Sequence, residues 1–537
     1  MGKNHKYFGV MLDMSRNAVM KPEQVKTFAS LIQKMGYNML QLYTEDTYEV
    51  ENEPYFGYMR GRYTQDELKD IVSYCESIGV EVIPCIQTLA HLEHIFRWNP
   101  YAGISDLGGS LFVGEPRTYE LIENMFKTLR KCFSSQYVHI GMDEAHLLGL
   151  GKYYDKHGHE NRFEILQKHL FRVMEIAEKY NFKPIMWSDM WFRLGNKGEY
   201  YPENPDLPQE VVEVIPQNLG LVYWDYYHTD KEYMAKMMRA HLKSENDVWF
   251  AGGAWTWTGF ASGNKFTLET MLPAMQAAKE CGVENVFLTI WGDNGKECSF
   301  YSVLPSLFAV KKAYDGVTDE KLIREEFKEI VGVDYDAMTA LDLPNYVGGN
   351  EDCKSNISKR MLYSDPFVGV LDTTLKPDVA EEYKAHAKRL RGYATGQFAY
   401  LFESAAALCE FLSVKYDLGK RTREAYKSKN GDTMYALIED YREAEGRLDA
   451  FYEAFCKLWF TENKAYGFEV QDIRLGGLKQ RLRHCRKRLV EYMEDKTETI
   501  AELEEELLDY FGNGKEYVEE STPTTLSWWR SALIHML

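Results

Sequence analysis

The chain predicts a (β/α)8 barrel followed by an α-helical domain, and three observations carry that prediction. Eight short apolar runs alternate with amphipathic helical stretches over the first 315 residues. Strand-like runs then vanish, and long charged helical segments fill the chain from about residue 375. The first strand is followed by Met14-Ser15-Arg16-Asn17 rather than a glycine-rich phosphate turn, which weighs against a doubly wound sheet.

The expected strands are Tyr7–Asp13, Asn38–Tyr43, Glu81–Ile86, Tyr137–Gly141, Pro184–Trp187, Leu221–Asp225, Val248–Ala251 and Asn285–Trp291. Between them, apolar residues recur at helical spacing. Phe28, Leu31, Ile32 and Met35 form one such face; Leu121, Met125 and Leu129 form another. Val173, Ile176 and Ala177 precede the fifth strand, and Met271, Met275 and Ala278 the eighth. A connecting segment is expected over 316–374, and a helical domain over 375–537 with helices near 377–418, 432–461 and 475–511. The glycines of Asn463–Gly477 read as an interruption, and Asp472-Ile473-Arg474 as a loop able to face an active site. Trp528 and Trp529 read as an anchor onto the barrel or a homodimer contact.

Bulk properties narrow the function. A net charge of −19 argues against nucleic-acid and anionic-membrane partners, because both need clustered Lys and Arg. No stretch approaches the roughly 18 apolar residues of a membrane span. The nine cysteines are scattered without metal-like spacing, so they read as reduced thiols. With a polar Met1–Tyr7 start, the expectation is a cytoplasmic protein without metal or cofactor.

Chemistry gathers where barrel enzymes hold it, at the carboxyl ends of the strands. His139-Ile140-Gly141-Met142-Asp143-Glu144 places two adjacent carboxylates at the end of strand four. A like-charge neighbour and partial burial can hold one such acid protonated near neutral pH. Other strand ends supply Asp13 and Arg16, Glu45 and Asp46, Gln87 and His91, Trp187-Ser188-Asp189, Tyr223 to Tyr227, Trp255 and Trp257, and Trp291 with Asp293. Aromatic walls beside carboxylates and an arginine describe a sugar site: pyranose C–H faces stack on indoles, and hydroxyls take bonds from charged groups. His139 reads as a core histidine, and the spacing of His139, Asp143 and His146 matches no common metal site.

These residues bear a family resemblance. His139 to Glu144 resembles the H-x-G-G-D-E signature of glycoside hydrolase family 20, the β-N-acetylhexosaminidases, with Met142 in place of the second glycine. Gly9 to Arg16 resembles the family's G-x-x-L-D-x-x-R, and Thr44-Glu45-Asp46 its T-D-D. Leu89-Ala90-His91 stands where P-G-H is usual, Tyr223-Trp224-Asp225 resembles Y-L-D, and Trp291-Gly292-Asp293 resembles W-G-E. The helical tail, with no domain before the barrel, is similar to a bacterial subgroup.

The resemblance implies substrate-assisted retaining hydrolysis of terminal β-linked GlcNAc or GalNAc from oligosaccharides. It implies Glu144 as acid and base, and Asp143 orienting the acetamido group. Tyr223 or Tyr227 holds the acetamido oxygen; strand alternation is read as placing both on one face, leaving the choice open. Arg16 and Asp293 bind ring hydroxyls, Asp225 belongs to the same motif, and His91 with Glu45 or Asp46 tunes Glu144. Trp187, Trp255 and Trp291 form walls. The shorter Asp293 implies relaxed discrimination between gluco and galacto epimers. The alternatives are a glycosidase with Asp225 or Asp293 as protein nucleophile, and an inactive sugar-binding protein.

Overall fold

A computed structural model describes residues 7–510 other than 294 and 352, together with residue 512. Trp528 and Trp529 lie outside the described residues. Eight strands close into a barrel in chain order, each parallel to its neighbours, with the eighth paired to the first. They are β1 Phe8–Asp13, β2 Met39–Tyr43, β3 Glu81–Cys85, β4 Tyr137–His139, β5 Lys183–Trp187, β6 Gly220–Trp224, β7 Val248–Gly253 and β8 Asn285–Ile290. Every expected strand is present, displaced by two residues or fewer at either end. Near-continuous apolar runs make these strands because a parallel barrel buries both faces of its sheet.

The inward faces follow the period of two. Met11, Met39, Tyr43, Ile83, Cys85, Ile185, Trp187, Val222, Trp249, Ala251 and Phe287 form one buried cluster. Intervening helices begin where local chemistry favours it: Pro22 and Pro116 sit in first turns, and Thr64 and Glu67 form a capping box.

By compactness the chain divides into two units. The first comprises residues up to Ala254, Thr267–Trp291 and Ser306–Ile323; it contains the whole barrel. The second comprises Trp255–Phe266, Gly292–Pro305 and the chain from Arg324. Within it, helix Ala399–Lys415 packs against Val379–Tyr393 and Gly431–Glu462, and the latter packs against Glu469–Met493. Three expectations need correction here. The segment 475–511 is not one helix: the helix ends at Met493, and only the short helix Ala501–Glu504 follows. The segment 377–418 is not one helix: it breaks around Gly396, which takes a left-handed φ of 71°. The Asp472-Ile473-Arg474 segment is not a loop. Helix Glu469–Met493 runs through it and through Gly476 and Gly477, with Leu475, Leu478, Leu482 and Leu489 buried. That apolar stripe outweighs the roughly 1 kcal/mol that each glycine costs a helix. Among the described residues, no helix is long and apolar enough to cross a membrane.

Candidate active site

Several side chains hold the turn after β4, and Gln87 reaches it at two points. Gln87, just past β3, accepts the Met142 N–H at 3.1 Å and donates from Nε2 to Asp143 Oδ1 at 2.7 Å and to the Tyr43 hydroxyl at 3.0 Å. It packs so closely that a Cβ on Gly141 would lie 2.1 Å from its Oε1. Gly141 has φ 71°, and the backbone remains left-handed at Met142 (68°) and Glu144 (50°). Each non-glycine residue in that region costs on the order of 1–2 kcal/mol, and such strain persists only where the surroundings dictate it. Glu45 and His91, at the ends of β2 and beyond β3, are left-handed as well.

The bent turn presents two unlike carboxylates. Burial alone would raise Asp143, but the His91 charge and the bonds from His91 and Gln87 outweigh it and hold Asp143 below the usual aspartate range. His91 Nε2 stands 3.1 Å from Asp143 Oδ2 and 3.8 Å from Glu144 Oε2. Burial pushes the imidazole down, yet Asp143 and Glu45 carry it up to about 10, so His91 is a cation at neutral pH. The Glu144 side chain is 43% exposed, against 14% for Asp143. His91 therefore serves Asp143 more directly than Glu144, the partner inferred from the resemblance. His91, Asp143 and Glu144 also offer ligand atoms within 4.8 Å of one another, as a metal site would. His91 stands within ion-pairing distance of both carboxylates in this geometry.

Arg16 lies 3.6 Å from Asp13 and 3.7 Å from Glu45. Burial raises Glu45 to about 7 despite Arg16, and the Tyr43 hydroxyl donates to it at 2.9 Å. Asp46 is raised by burial too, with Arg60 opposing at 3.3 Å. Trp187 is buried in the barrel interior, its ring 4.4 Å from His139 and 6.1 Å from Trp291. Trp291 meets Tyr43 edge-on at 4.9 Å. His139 is fully buried and pushed down to about 3 by desolvation, which makes it a neutral core residue.

With this geometry in view, comparison with known proteins is decisive. The model of the glycosyl hydrolase family 20 catalytic domain matches residues 5–251, and that of the glycoside hydrolase 20C C-terminal domain matches residues 334–522. The chain belongs to glycoside hydrolase family 20. Among relatives, it is 24% identical to hexosaminidase D of Homo sapiens over 228 residues, 40% of this chain and 44% of that one. It is 23% identical to hexosaminidase D of Bos taurus over 248 residues, 43% and 64% of the two chains. The chain thus spans less than two thirds of either relative. A solved family 20 exo-β-N-acetylglucosaminidase from Vibrio harveyi, in complex with N-acetylglucosamine, aligns with TM-score 0.48 at 16% identity over 63% of this chain and 59% of that one.

The rest of this family 20 site departs from the sequence reading at β6. The strand ends at Trp224, so its alternation does not reach Tyr227. Tyr223 points outward, its ring 5.0 Å from His241 and 5.4 Å from Phe250. Tyr227 is 46% exposed. Tyr226, also beyond the strand, is the tyrosine that turns inward: it is buried, stacks on Trp224 at 5.3 Å and hydrogen-bonds Trp291 and Thr289. Asp225 is fully engaged: it accepts from the Tyr223 hydroxyl at 2.6 Å, from the Tyr227 and His228 N–H groups, and pairs with His228 Nδ1 at 2.8 Å.

Asp189, at the end of β5, has no role in the sequence reading, and its contacts join it to this turn. It is fully buried, accepts the Glu144 N–H at 3.1 Å, and is raised to about 7 by burial and then by Asp143. Trp255 and Asp293 belong to the second unit. There Trp255 is buried, stacked on Trp257 at 4.2 Å, and Asp293 has a left-handed φ of 28°.

Proposed function

We propose that the protein is an exo-β-N-acetylhexosaminidase that removes terminal β-linked GlcNAc or GalNAc by substrate-assisted retaining catalysis. The observation that carries this reading is the asymmetric pair: an ionised Asp143 fixed by His91 and Gln87 beside an accessible Glu144. A conventional retaining glycosidase uses a protein carboxylate as nucleophile. Here the carboxylate locked next to the acid suits holding an N–H rather than attacking carbon.

In the first step the acetamido oxygen attacks the anomeric carbon as the glycosidic C–O bond breaks. Glu144 gives its proton to the leaving oxygen. Asp143 accepts the acetamido N–H through a lone pair not used by Gln87 or His91, and balances the charge of the oxazolinium. In the second step water attacks the anomeric carbon as its bond to the acetamido oxygen breaks, which restores the acetamide, and the water's proton passes to Glu144. The inward hydroxyl of Tyr226, rather than that of Tyr223 or Tyr227, holds the acetamido oxygen. Trp187 and Trp291 wall the ring, and Arg16, Glu45 and Asp46 form the polar rim that binds hydroxyls. Trp255 and Asp293 retain the roles their motif positions imply, a wall and a hydroxyl ligand. The shorter Asp293 relaxes epimer discrimination; a strict preference in kcat/KM for aryl β-GlcNAc or β-GalNAc would remove that part.

The nine free cysteines support a reducing, cytoplasmic setting. The engagement of both Asp225 oxygens weighs against that residue as a nucleophile. The deciding experiment compares aryl β-GlcNAc with aryl β-glucoside, adding a thiazoline mimic of the oxazolinium. Turnover of the acetamido sugar alone, blocked by the thiazoline, is expected; equal turnover of both would move the nucleophile onto the protein.

A further inference from the structure

Three aromatic rings stand exposed against one another beside this site. Tyr55 and Tyr58 are 42% and 43% exposed, and both meet the half-buried Trp98, at 5.8 Å and 5.3 Å. They are 6.1 Å from each other, edge to face. Such clusters on a soluble surface mark a site of contact when the backbone beneath them is built rather than loose.

Here it is built. A Cβ on Gly57, between the two tyrosines, would lie 2.0 Å from the Asp46 carbonyl oxygen, so the loop presses directly on the end of β2. Gly57 accordingly takes a left-handed φ of 64°. Arg60 binds the Asp46 carboxylate and the Ser15 carbonyl. Deeper in the loop, buried Glu53 accepts from Arg117 at 2.8 Å, Asn124 at 3.0 Å and Tyr101 at 3.0 Å. The rings are thus held on a rigid base pinned to a residue at the rim of the proposed site.

We propose that Tyr55, Tyr58 and Trp98 form a platform for the sugars on the reducing side of the scissile bond, a β-linked oligosaccharide being the ligand. The proposal rests on the functional reading above. An aromatic side chain buries about 150–250 Å² when covered, so three half-exposed rings offer on the order of 250 Å². That suits one or two pyranose rings and falls far short of the ~800 Å² per partner of a stable protein interface. Hydroxyl-bearing rings also match alternating C–H faces and hydroxyls. A prepositioned platform binds without paying to order a loop.

The test measures kcat/KM for a β-1,4-linked GlcNAc trisaccharide and for an aryl β-GlcNAc, which lacks the additional sugars. In Trp98→Ala and Tyr58→Ala the ratio of the two constants should fall about tenfold. Trp98→Phe, which keeps a ring, should restore most of it and covers a failure of the alanine variant to fold. Calorimetry on Glu144→Gln gives a second readout: adding Trp98→Ala should weaken trisaccharide binding by a similar factor. An unmoved ratio overturns the platform, as does an unmoved ratio with a changed oligomeric state, which would assign the rings to a second copy. A wild-type protein inert towards aryl β-GlcNAc would sink the functional reading instead, and calorimetry would then judge the platform alone.

Discussion

The two ends of the barrel share one set of strands and differ in what they do with charge. The floor, at the amino ends, holds a cavity of about 1160 Å³, lined by Tyr7, Glu81, Tyr137, Lys183, Asp247 and Asn285 among others. Its carboxylates rest against neutral donors: Tyr7 and Ser135 serve Glu81, while Trp249 and Asn285 serve Asp247. Burial raises Asp247, but no second carboxylate adds to the shift. The left-handed backbone lining it is all glycine, at Gly79 and Gly282. The mouth instead sets buried Glu45 and Asp189 around a partly buried Asp143, with one imidazolium among them and strained non-glycine turns at Glu45, His91, Met142 and Glu144. A cavity by itself therefore does not mark the site. Unlike acids forced together on a strained backbone do, because such an arrangement persists only when neighbouring residues stabilise it.

The comparison breaks most directly at the paired acids. Asp143→Asn should lower kcat about 10²- to 10³-fold on every substrate, since it removes charge stabilisation in both steps. Glu144→Gln should cost about 10²- to 10⁴-fold on GlcNAc disaccharides and much less on 2,4-dinitrophenyl β-GlcNAc, whose leaving group needs no proton. Steady-state rates on the two substrates separate the roles. A silent Asp143→Asn would remove the distinction drawn between mouth and floor.

Asp189 tests the same idea at a smaller scale. Its carboxylate holds the N–H of a strained Glu144, so Asp189→Ala should lower kcat about tenfold on poor leaving groups, with KM little changed. Asp189→Asn, which still accepts that N–H, should recover most of the loss. Stability carries a separate signature. The folded carboxyl titrates at about 7, above the ordinary 3.8, so between about pH 4 and 7 the native protein keeps a proton the unfolded chain has lost. Stability therefore falls as pH rises through that window and stays lowered above it. Asp189→Asn should raise Tm by about 2–4 °C at pH 8 and leave it unmoved near pH 4. Equal Tm values for the two proteins at pH 8 would show that Asp189 carries no buried-charge penalty.

The strands and the acid pair were legible because both are local. Each apolar run is bounded by polar residues, and Asp143-Glu144 announces itself by adjacency. What escaped was the facing of side chains. Tyr223 and Tyr227 were placed on one face by carrying a strand's alternation past Trp224, where the strand ends. Tyr226 lies beyond the strand as well, and only its contacts with Trp224, Trp291 and Thr289 show that it faces inward. Gln87 escaped a role because a lone glutamine carries no chemical signal until the turn it braces is seen. In the tail, glycines misled in opposite ways. Gly396 breaks a helix, whereas Gly476 and Gly477 lie inside one, carried by a leucine stripe that composition alone undervalued.

The smallest expected effect lies at the floor, and it is what makes the comparison falsifiable. Glu81 takes hydrogen bonds from Tyr7 at 2.8 Å and Ser135 at 2.6 Å, contacts between charged acceptor and neutral donors that tie β1 and the approach to β4 onto β3. Glu81→Gln keeps the shape and one accepting oxygen but turns an amide toward one of the donors. The loss should be about 1–2 kcal/mol of stability, read as a shift in denaturant midpoint. Catalysis depends on charge and strain at the opposite end of the strands, so kcat and KM for aryl β-GlcNAc should stay within about twofold of the wild type. A tenfold fall in kcat with the fold intact would mean that the floor is chemically coupled to the mouth, and that the division between a structural end and a reacting end is wrong.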